Sequence, residues 1–485
     1  MLIAKIPMRL PYLPRPLLFF ILGLVTPVVL LAIVRVKKLP ELSVWHTHVP
    51  VGDYRAERTD IQRFSQYQQL EKQLLVDVES QIIAHTSADQ QRLINRYAKT
   101  SLTNPLNYPQ NWNLSYLLPG KAGGEAVLLV HGLSDSPYSL RALALQLHAA
   151  GYTVLGLRLP GHGTAPAALT QFKWQDAAGA VRLAMRELAQ THQRIHVVGY
   201  STGATLACEY QLARMGGEPL PAIRSMTLIS PAIAVTSAAK YAKWVSYLAP
   251  ISGVGAAAWS ELAPEYNPYK YNSFPFNAAV QMREFTLYLH QQLLARAPLN
   301  DWPPTNVFLS AVDNTVVAEP VVTLLMSQLK PNRHQLMLFD LNRYAEYSPL
   351  LNPRAADWAL KLADSHQPRP YRLQFVTNRQ QNQGSVVSIE DTPAGAMQAT
   401  IHPTNYQWPN GIFALSHIAL PFSPQDPLFG DPAQQANDHT LKLNQSLIGE
   451  RGLLQISGNE ILRLRYNPFY ALQEQEILQF IAQSH

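Results

Sequence analysis

The stretch that most constrains this chain is Gly199-Tyr200-Ser201-Thr202-Gly203. An apolar run, Arg194-Ile195-His196-Val197-Val198, precedes it and reads as a buried strand. A helical pattern from Thr202 to about Met215 follows. Strand, G-x-S-x-G and helix together specify a sharp corner. The two glycines remove side chains where strand and helix crowd together, and the serine is left in a strained conformation. Its hydroxyl then points off the sheet, near the positive N-terminal end of the helix. An ordinary Gly/Ser turn shares the letters but not both flanks.

The 485 residues suffice for a sizeable core with insertions. The single cysteine, Cys208, excludes an internal disulfide framework, and inside the helix after Ser201 it reads as a small core residue. A net charge of +6 would suit nucleic acid, but residues 1–58 hold eight Lys/Arg against three Asp/Glu, and the remaining 427 hold 31 against 30. No basic stripe interleaved with aromatics is left, so no nucleic-acid partner is expected.

The basic residues flank an apolar run. Leu17 to Val34 is 18 residues without a charge, at the lower edge of what crosses a bilayer. Pro27 is tolerable there. Lys5, Arg9 and Arg15 precede the run; Arg35, Lys37 and Lys38 follow it. A cleaved signal peptide would end in small residues, and Arg-Val-Lys-Lys does not. The expectation is an uncleaved single-pass transmembrane anchor, with the membrane as partner. The flanking charges nearly balance and do not set the orientation. A bacterial inner membrane with the catalytic domain in the periplasm is the expected location.

Residues 60–99 show helical periodicity (Ile61, Phe64, Leu70, Leu74, Leu75, Val78, Ile82), and 101–120 read as loop with Trp112 and Tyr116 as packing anchors. Short apolar strands then alternate with helices. The strands begin at Ala126, Tyr152, Arg194, Met226, Asn306 and His334; helices are expected at 140–150, 173–190, 202–215 and 319–329. Such alternation implies an α/β fold, a mostly parallel central sheet flanked by helices. The expected division is a tail (1–16), the anchor (17–34), a connector with amphipathic helices (35–108), the core (109–231), an aromatic lid or cap insertion (232–300), core again (301–340), a polar insertion with short β-like pieces (341–410), and the C-terminal core carrying the histidine loop (411–485) and a helix near 471–482.

A serine hydroxyl needs a base within hydrogen-bond reach and a carboxylate to orient that base. In a strand–elbow–helix sheet the chain order is Ser, acid, His. Asp313, just beyond the strand at 306–312, fits the acid; Asp340, Asp301 and Glu319 are rivals. Downstream histidines are His334, His366, His402, His417, His439 and His485. His417 follows the apolar run Ile412–Ser416 and opens a Pro-rich loop, which suits a base on a late loop. Two backbone N–H groups should hold the oxyanion, one from Thr202 after the nucleophile and one from Leu133 in the loop after the first core strand.

These residues resemble the α/β-hydrolase superfamily, and within it the lid-bearing carboxylesterases and monoacylglycerol-lipase-like (serine aminopeptidase-like) enzymes. The stretches carrying the resemblance are Val130-His131-Gly132-Leu133-Ser134-Asp135, Leu157-Arg158-Leu159-Pro160-Gly161-His162-Gly163, the Ser201 pentapeptide and Ser310-Ala311-Val312-Asp313. The resemblance implies Ser201 as nucleophile, Asp313 as acid, His417 as base, and Leu133 and Thr202 as oxyanion donors. His162 reads as structural. The departure is the 104-residue gap between Asp313 and His417, longer than usual in this branch. The expected function is a membrane-anchored serine hydrolase cleaving small or lipid-like carboxylic esters, with no metal or organic cofactor. An acyltransferase or aminopeptidase with the same triad is the alternative, Glu261 or Glu265 then anchoring a substrate amine. A catalytically inactive, membrane-tethered binding protein is the alternative of another class. Nothing in the sequence sets the oligomeric state.

Overall fold

A computed structural model describes residues 40–234, 255–313, 316–344, 352, 354–380, 384–434 and 463–484, with Gly23 and Thr26. The expected anchor, 17–34, thus lies outside the described residues but for those two positions. Among the described residues no helix is long and apolar enough to cross a membrane.

In chain order the elements are α1 (Phe64–Asp77), β1 (Tyr116–Leu118), β2 (Ala126–Val130), α2 (Arg141–Ala149), β3 (Thr153–Leu157), α3 (Trp174–Ala189), β4 (Ile195–Tyr200), α4 (Thr202–Met215) and β5 (Ser225–Ile229). The small strands β6 (Trp259–Glu261) and β7 (Phe274–Pro275) pair separately, and α5 (Phe276–Arg296) follows. Then come β8 (Thr305–Ser310), β9 (His334–Phe339), α6 (Asp357–Ala363), β10 (Tyr371–Thr377), β11 (Val386–Thr392), β12 (Thr400–Gln407) and α7 (Tyr470–Ala482). One ten-stranded sheet runs β1-β3-β2-β4-β5-β8-β9-β10-β11-β12. The seven strands from β3 to β10 are parallel; β1 at one edge and β11 and β12 at the other are antiparallel.

Both faces of the sheet are covered. Side chains alternate across a strand, so a strand buried on both faces reads as a nearly continuous apolar run. In β2, Ala126, Leu128 and Val130 join one core with α1, α3, α4 and α5, while Val127 and Leu129 join the other with α2 and α7. The Trp112 and Tyr116 rings meet edge to face at 5.3 Å.

Three elements differ from expectation. Residues 116–118, read as loop, form β1, and the helix at 319–329 is a π-helical turn (Val321–Leu325) followed by a 3-10 turn (Met326–Gln328). The polar insertion goes beyond the short β-like pieces expected of it: β10 pairs in parallel with β9, and β11 and β12 extend the edge of the central sheet. An edge strand needs little apolar surface, and β12 is largely exposed. The polar residues inside are matched: Arg372 pairs with Asp391, and Arg379 with Glu390 and Asp364. In the expected lid, residues 235–254 lie outside the described set. The described helix α5 is packed into the core through Ala278, Met282, Phe285, Leu289 and Leu293.

Candidate active site

Ser201 joins β4 to α4 with φ 52° and ψ −114°, a conformation few non-glycine residues hold. The flanking glycines explain how the chain makes this corner. A Cβ at Gly203 would lie 2.0 Å from the Val130 carbonyl oxygen, and one at Gly199 2.5 Å from the Ala204 backbone nitrogen. The Ser201 N–H donates to the Ile229 carbonyl at 2.9 Å, which ties the corner to β5. Ser134, after β2, and Ser230, after β5, share the positive φ (59° and 46°). The positive-φ non-glycine residues among those described are thus three serines at the same end of three adjacent strands.

Asp313 follows β8, and Nδ1 of His417 stands 3.1 Å from its Oδ1. A carboxylate only accepts, so Nδ1 carries the proton and Nε2 keeps its lone pair, the tautomer a general base requires. Both side chains are nearly buried. Val316 N–H donates to Asp313 Oδ1 at 3.3 Å, and the Ser230 hydroxyl reaches Oδ2 at 3.5 Å. The sequence alone does not single out Ser230; its position directly after the strand beside β4 was the available signal.

The long gap between acid and base is bridged by pinning. After β12 the chain returns to the carboxyl ends of β8 and β9: Ser310 Oγ donates to Leu415 O at 2.7 Å, and Asn342 donates through N to Phe413 O at 2.7 Å and through Nδ2 to Ile412 O at 2.9 Å. The imidazole of His417 then stacks on the ring of Tyr200, the neighbour of Ser201, with centroids 6.3 Å apart.

The rivals are occupied elsewhere. Asp340 accepts from Arg343 and Thr377, Asp301 pairs with Arg214 at the surface, and Glu319 is exposed. His334 accepts from the Thr305 N–H, and His402 sits 3.8 Å from Asp391 on the sheet edge. His366 lies past α6, and His439 and His485 fall outside the described residues.

The expected oxyanion loop packs against the serine. A Cβ at Gly132 would meet Ser201 Cβ at 3.2 Å, a tight contact that glycine relieves where this loop approaches the corner. Leu133 follows it, half-buried. Thr202 opens α4, where N–H groups have no partner within the helix, and its hydroxyl donates to Met282 Sδ of α5 at 3.4 Å. His131 fixes the loop from behind: Nε2 accepts from the Leu159 N–H at 3.0 Å, which leaves Nδ1–H to donate to Gly132 O at 2.7 Å. Burial, with His162 nearby, holds the His131 imidazole well below its ordinary pKa, so it stays neutral.

A buried cation braces the neighbouring loop at 158–163. Arg158 reaches Asp53 at 2.7 Å and Glu71 at 3.1 Å, and donates to His162 O at 2.9 Å. Both carboxylates come from the region expected to be a connector. Asp53 also accepts from the Gly161 N–H at 2.7 Å.

A cavity of about 190 Å³ adjoins the corner, lined by Ser134, Asp135, Tyr200, Lys270, Ile418 and Arg465 among others. Glu261 also lines it, whereas Glu265 is buried and accepts from Ser273 and Asn272 N–H groups, which leaves it a structural role. A larger cavity of about 410 Å³ lies against Asp53 and Arg55 and touches none of the candidate residues. Among the described residues no cluster of His, Cys, Asp or Glu could hold a metal ion. Cys208 is buried, and burial pushes its thiol pKa up.

A model of the alpha/beta hydrolase family matches residues 127–387. A thermostable monoacylglycerol lipase from Bacillus sp. (strain H-257) is 42% identical over 84 residues, 17% of this chain. The chain spans about a third (34%) of the length of that curated relative. A solved monoacylglycerol lipase from Paleococcus ferrophilus aligns over 47% of this chain and 88% of its own at 18% identity, with a TM-score of 0.36. A soluble variant of monoglyceride lipase from Saccharomyces cerevisiae, solved with a substrate analog, covers 47% of this chain and 82% of its own at 14% identity and a TM-score of 0.37.

Proposed function

Because this chain belongs to the alpha/beta hydrolase family, we propose that it is a membrane-anchored serine hydrolase that cleaves carboxylic esters carrying an acyl chain. The observation that carries the reading is the His417–Asp313 contact beside a strained serine corner. Ser201 Oγ attacks the ester carbonyl while His417 Nε2 takes its proton. The oxyanion is held by the N–H groups of Leu133 and Thr202. The imidazolium, stabilised by Asp313, gives its proton to the leaving alcohol, and the acyl group stays on Ser201. Water, deprotonated by His417, then attacks the acyl-enzyme and releases the acid.

The acyl preference is supported by the apolar part of the cavity lining, Ile418, Phe422 and Phe429, which shares it with Lys270 and Asn267. The named activity of the Bacillus relative points the same way. The uncharged stretch 17–34 would keep the site near lipid. For an aminopeptidase, Glu265 is consumed by backbone amides, which leaves Glu261 in the cavity lining as the anchor for a substrate amine.

A fluorophosphonate probe tests the reading. Ser201→Ala should abolish labelling and His417→Ala should remove most of it. Short- and long-chain p-nitrophenyl esters assayed beside aminoacyl-amides separate esterase from peptidase. Labelling that survives Ser201→Ala would overturn the proposal.

A further inference from the structure

The loop at 93–108 exposes a set of apolar side chains on the described surface. Leu93 is 65% exposed, Ile94 50%, Leu102 41%, Leu106 36% and Tyr108 41%. They belong to one compact unit: Leu102 N–H donates to Leu93 O at 3.0 Å, Ser101 Oγ to Leu93 O at 2.8 Å, Asn107 Nδ2 to Ser101 O at 3.0 Å, and the Tyr108 hydroxyl to Leu102 O. An apolar patch of this kind on one loop marks a contact surface rather than scattered exposure.

Its position identifies the partner. The described chain begins at Pro40, and Ser43 Oγ accepts from Gln90 Nε2 at 2.8 Å, three residues before Leu93. The uncharged stretch ends at Val34, so five residues separate it from Pro40. A chain of that length spans at most roughly 20 Å. If 17–34 crosses a bilayer, the face carrying this loop cannot stand far from its surface. Exposed Arg92 and Lys99 border the apolar side chains, and Arg35, Lys37 and Lys38 lie in the intervening chain; such cations suit anionic headgroups.

The loop also adjoins the cavity. Arg96 N–H donates to Glu265 O at 2.8 Å, and Asn113 Nδ2 to Pro268 O at 3.0 Å. Tyr266, Asn267 and Lys270 of that segment line the cavity beside Ser134 and Tyr200.

We propose that the 93–108 loop is a lipid-contacting surface, its apolar side chains set into the headgroup layer of the bilayer that holds residues 17–34. The proposal rests on the anchored reading given above. Membrane contact at this loop would hold the segment that lines the cavity close to the lipid.

The test uses the full chain in phosphatidylcholine vesicles containing a minority of phosphatidylglycerol. Single cysteines (Ile94→Cys, Leu106→Cys) are labelled with bimane; buried Cys208 does not compete. Quenching by lipids spin-labelled near the headgroup should be at least about twofold stronger at these positions than at Leu145→Cys or Ile401→Cys, which are exposed elsewhere. Equal quenching at all four overturns the surface, and quenching at Val28→Cys then shows whether the anchor reading survives without it. The readout needs no catalysis, so it is independent of the ester assays. In a second arm, Leu93→Ser/Ile94→Ser/Leu106→Ser should lower turnover of a vesicle-borne ester about tenfold and leave a short soluble ester unaffected. Equal loss on both substrates would overturn the proposal.

Discussion

Replacing Asp53 by alanine tests whether the N-terminal region is part of the catalytic body. Arg158 is almost fully buried, its side chain 1% exposed against 13% for Asp53 and 1% for Glu71. Removing one partner of a buried ion pair costs about 3–5 kcal/mol, because the remaining charge keeps its desolvation penalty. Two features pull the expectation to the lower end. Glu71 still faces the guanidinium, and the cavity of about 410 Å³ against Asp53 lets water reach the vacated position. Against this, the Gly161 N–H loses its acceptor. The expected loss is about 3 kcal/mol, read by urea unfolding of the full chain in detergent with tryptophan fluorescence. The pH dependence checks the mechanism. Burial pushes the Asp53 carboxyl up, but Arg158 and the Gly161 and Tyr54 amides outweigh it and hold the pKa below the ordinary value. A depressed carboxyl contributes stability that is present above the unfolded pKa, about 3.9, and is lost as pH falls through the folded value. The gap between wild type and Asp53→Ala should therefore be constant from weakly acidic to neutral pH and close in strong acid. A loss under about 1 kcal/mol, or a gap that persists in acid, refutes the reasoning.

Gly203→Ala should cost at least about 3 kcal/mol, since its methyl would press on the Val130 carbonyl, which the sheet holds in place; thermal unfolding and soluble yield check this. Asp135 is held up at about 6, chiefly by burial. Its folded form keeps a proton that the unfolded chain loses near 3.8, so this group weakens stability as pH rises toward 6. Asp135→Asn should remove that slope and gain up to about 3 kcal/mol at neutral pH, measured by denaturant midpoints across pH.

The central sheet was legible because doubly covered strands are apolar on both sides, as in Ala126–Val130. The corner at Ser201 was legible because only glycine fits at 199 and 203, where a Cβ would strike backbone. The sheet edges were not. β1 has three residues, and β12 is polar and largely exposed, so neither carries a periodic signal that separates it from loop. The roles of Asp53 and Glu71 were hidden for another reason. A carboxylate in a connector reads as solvated until the fold brings Arg158, 105 residues beyond Asp53, against it. The return of the chain to His417 was similarly opaque, because the pinning by Ser310 and Asn342 is made of side-chain hydrogen bonds without a pattern in sequence.

The 104 residues between Asp313 and His417 also set a clock. During synthesis at ~5–20 residues per second, Asp313 leaves the ribosome about 5–20 s before His417 does, and Ser201 earlier still. For that interval the nascent polypeptide holds an elbow serine with no proton acceptor beside it. If His417 is the base, as proposed, a chain cut or stalled anywhere in the β10–β12 region would be inert for the same reason. On the proposed mechanism, reactivity toward esters would thereby be confined to molecules whose translation has run nearly to the final helix.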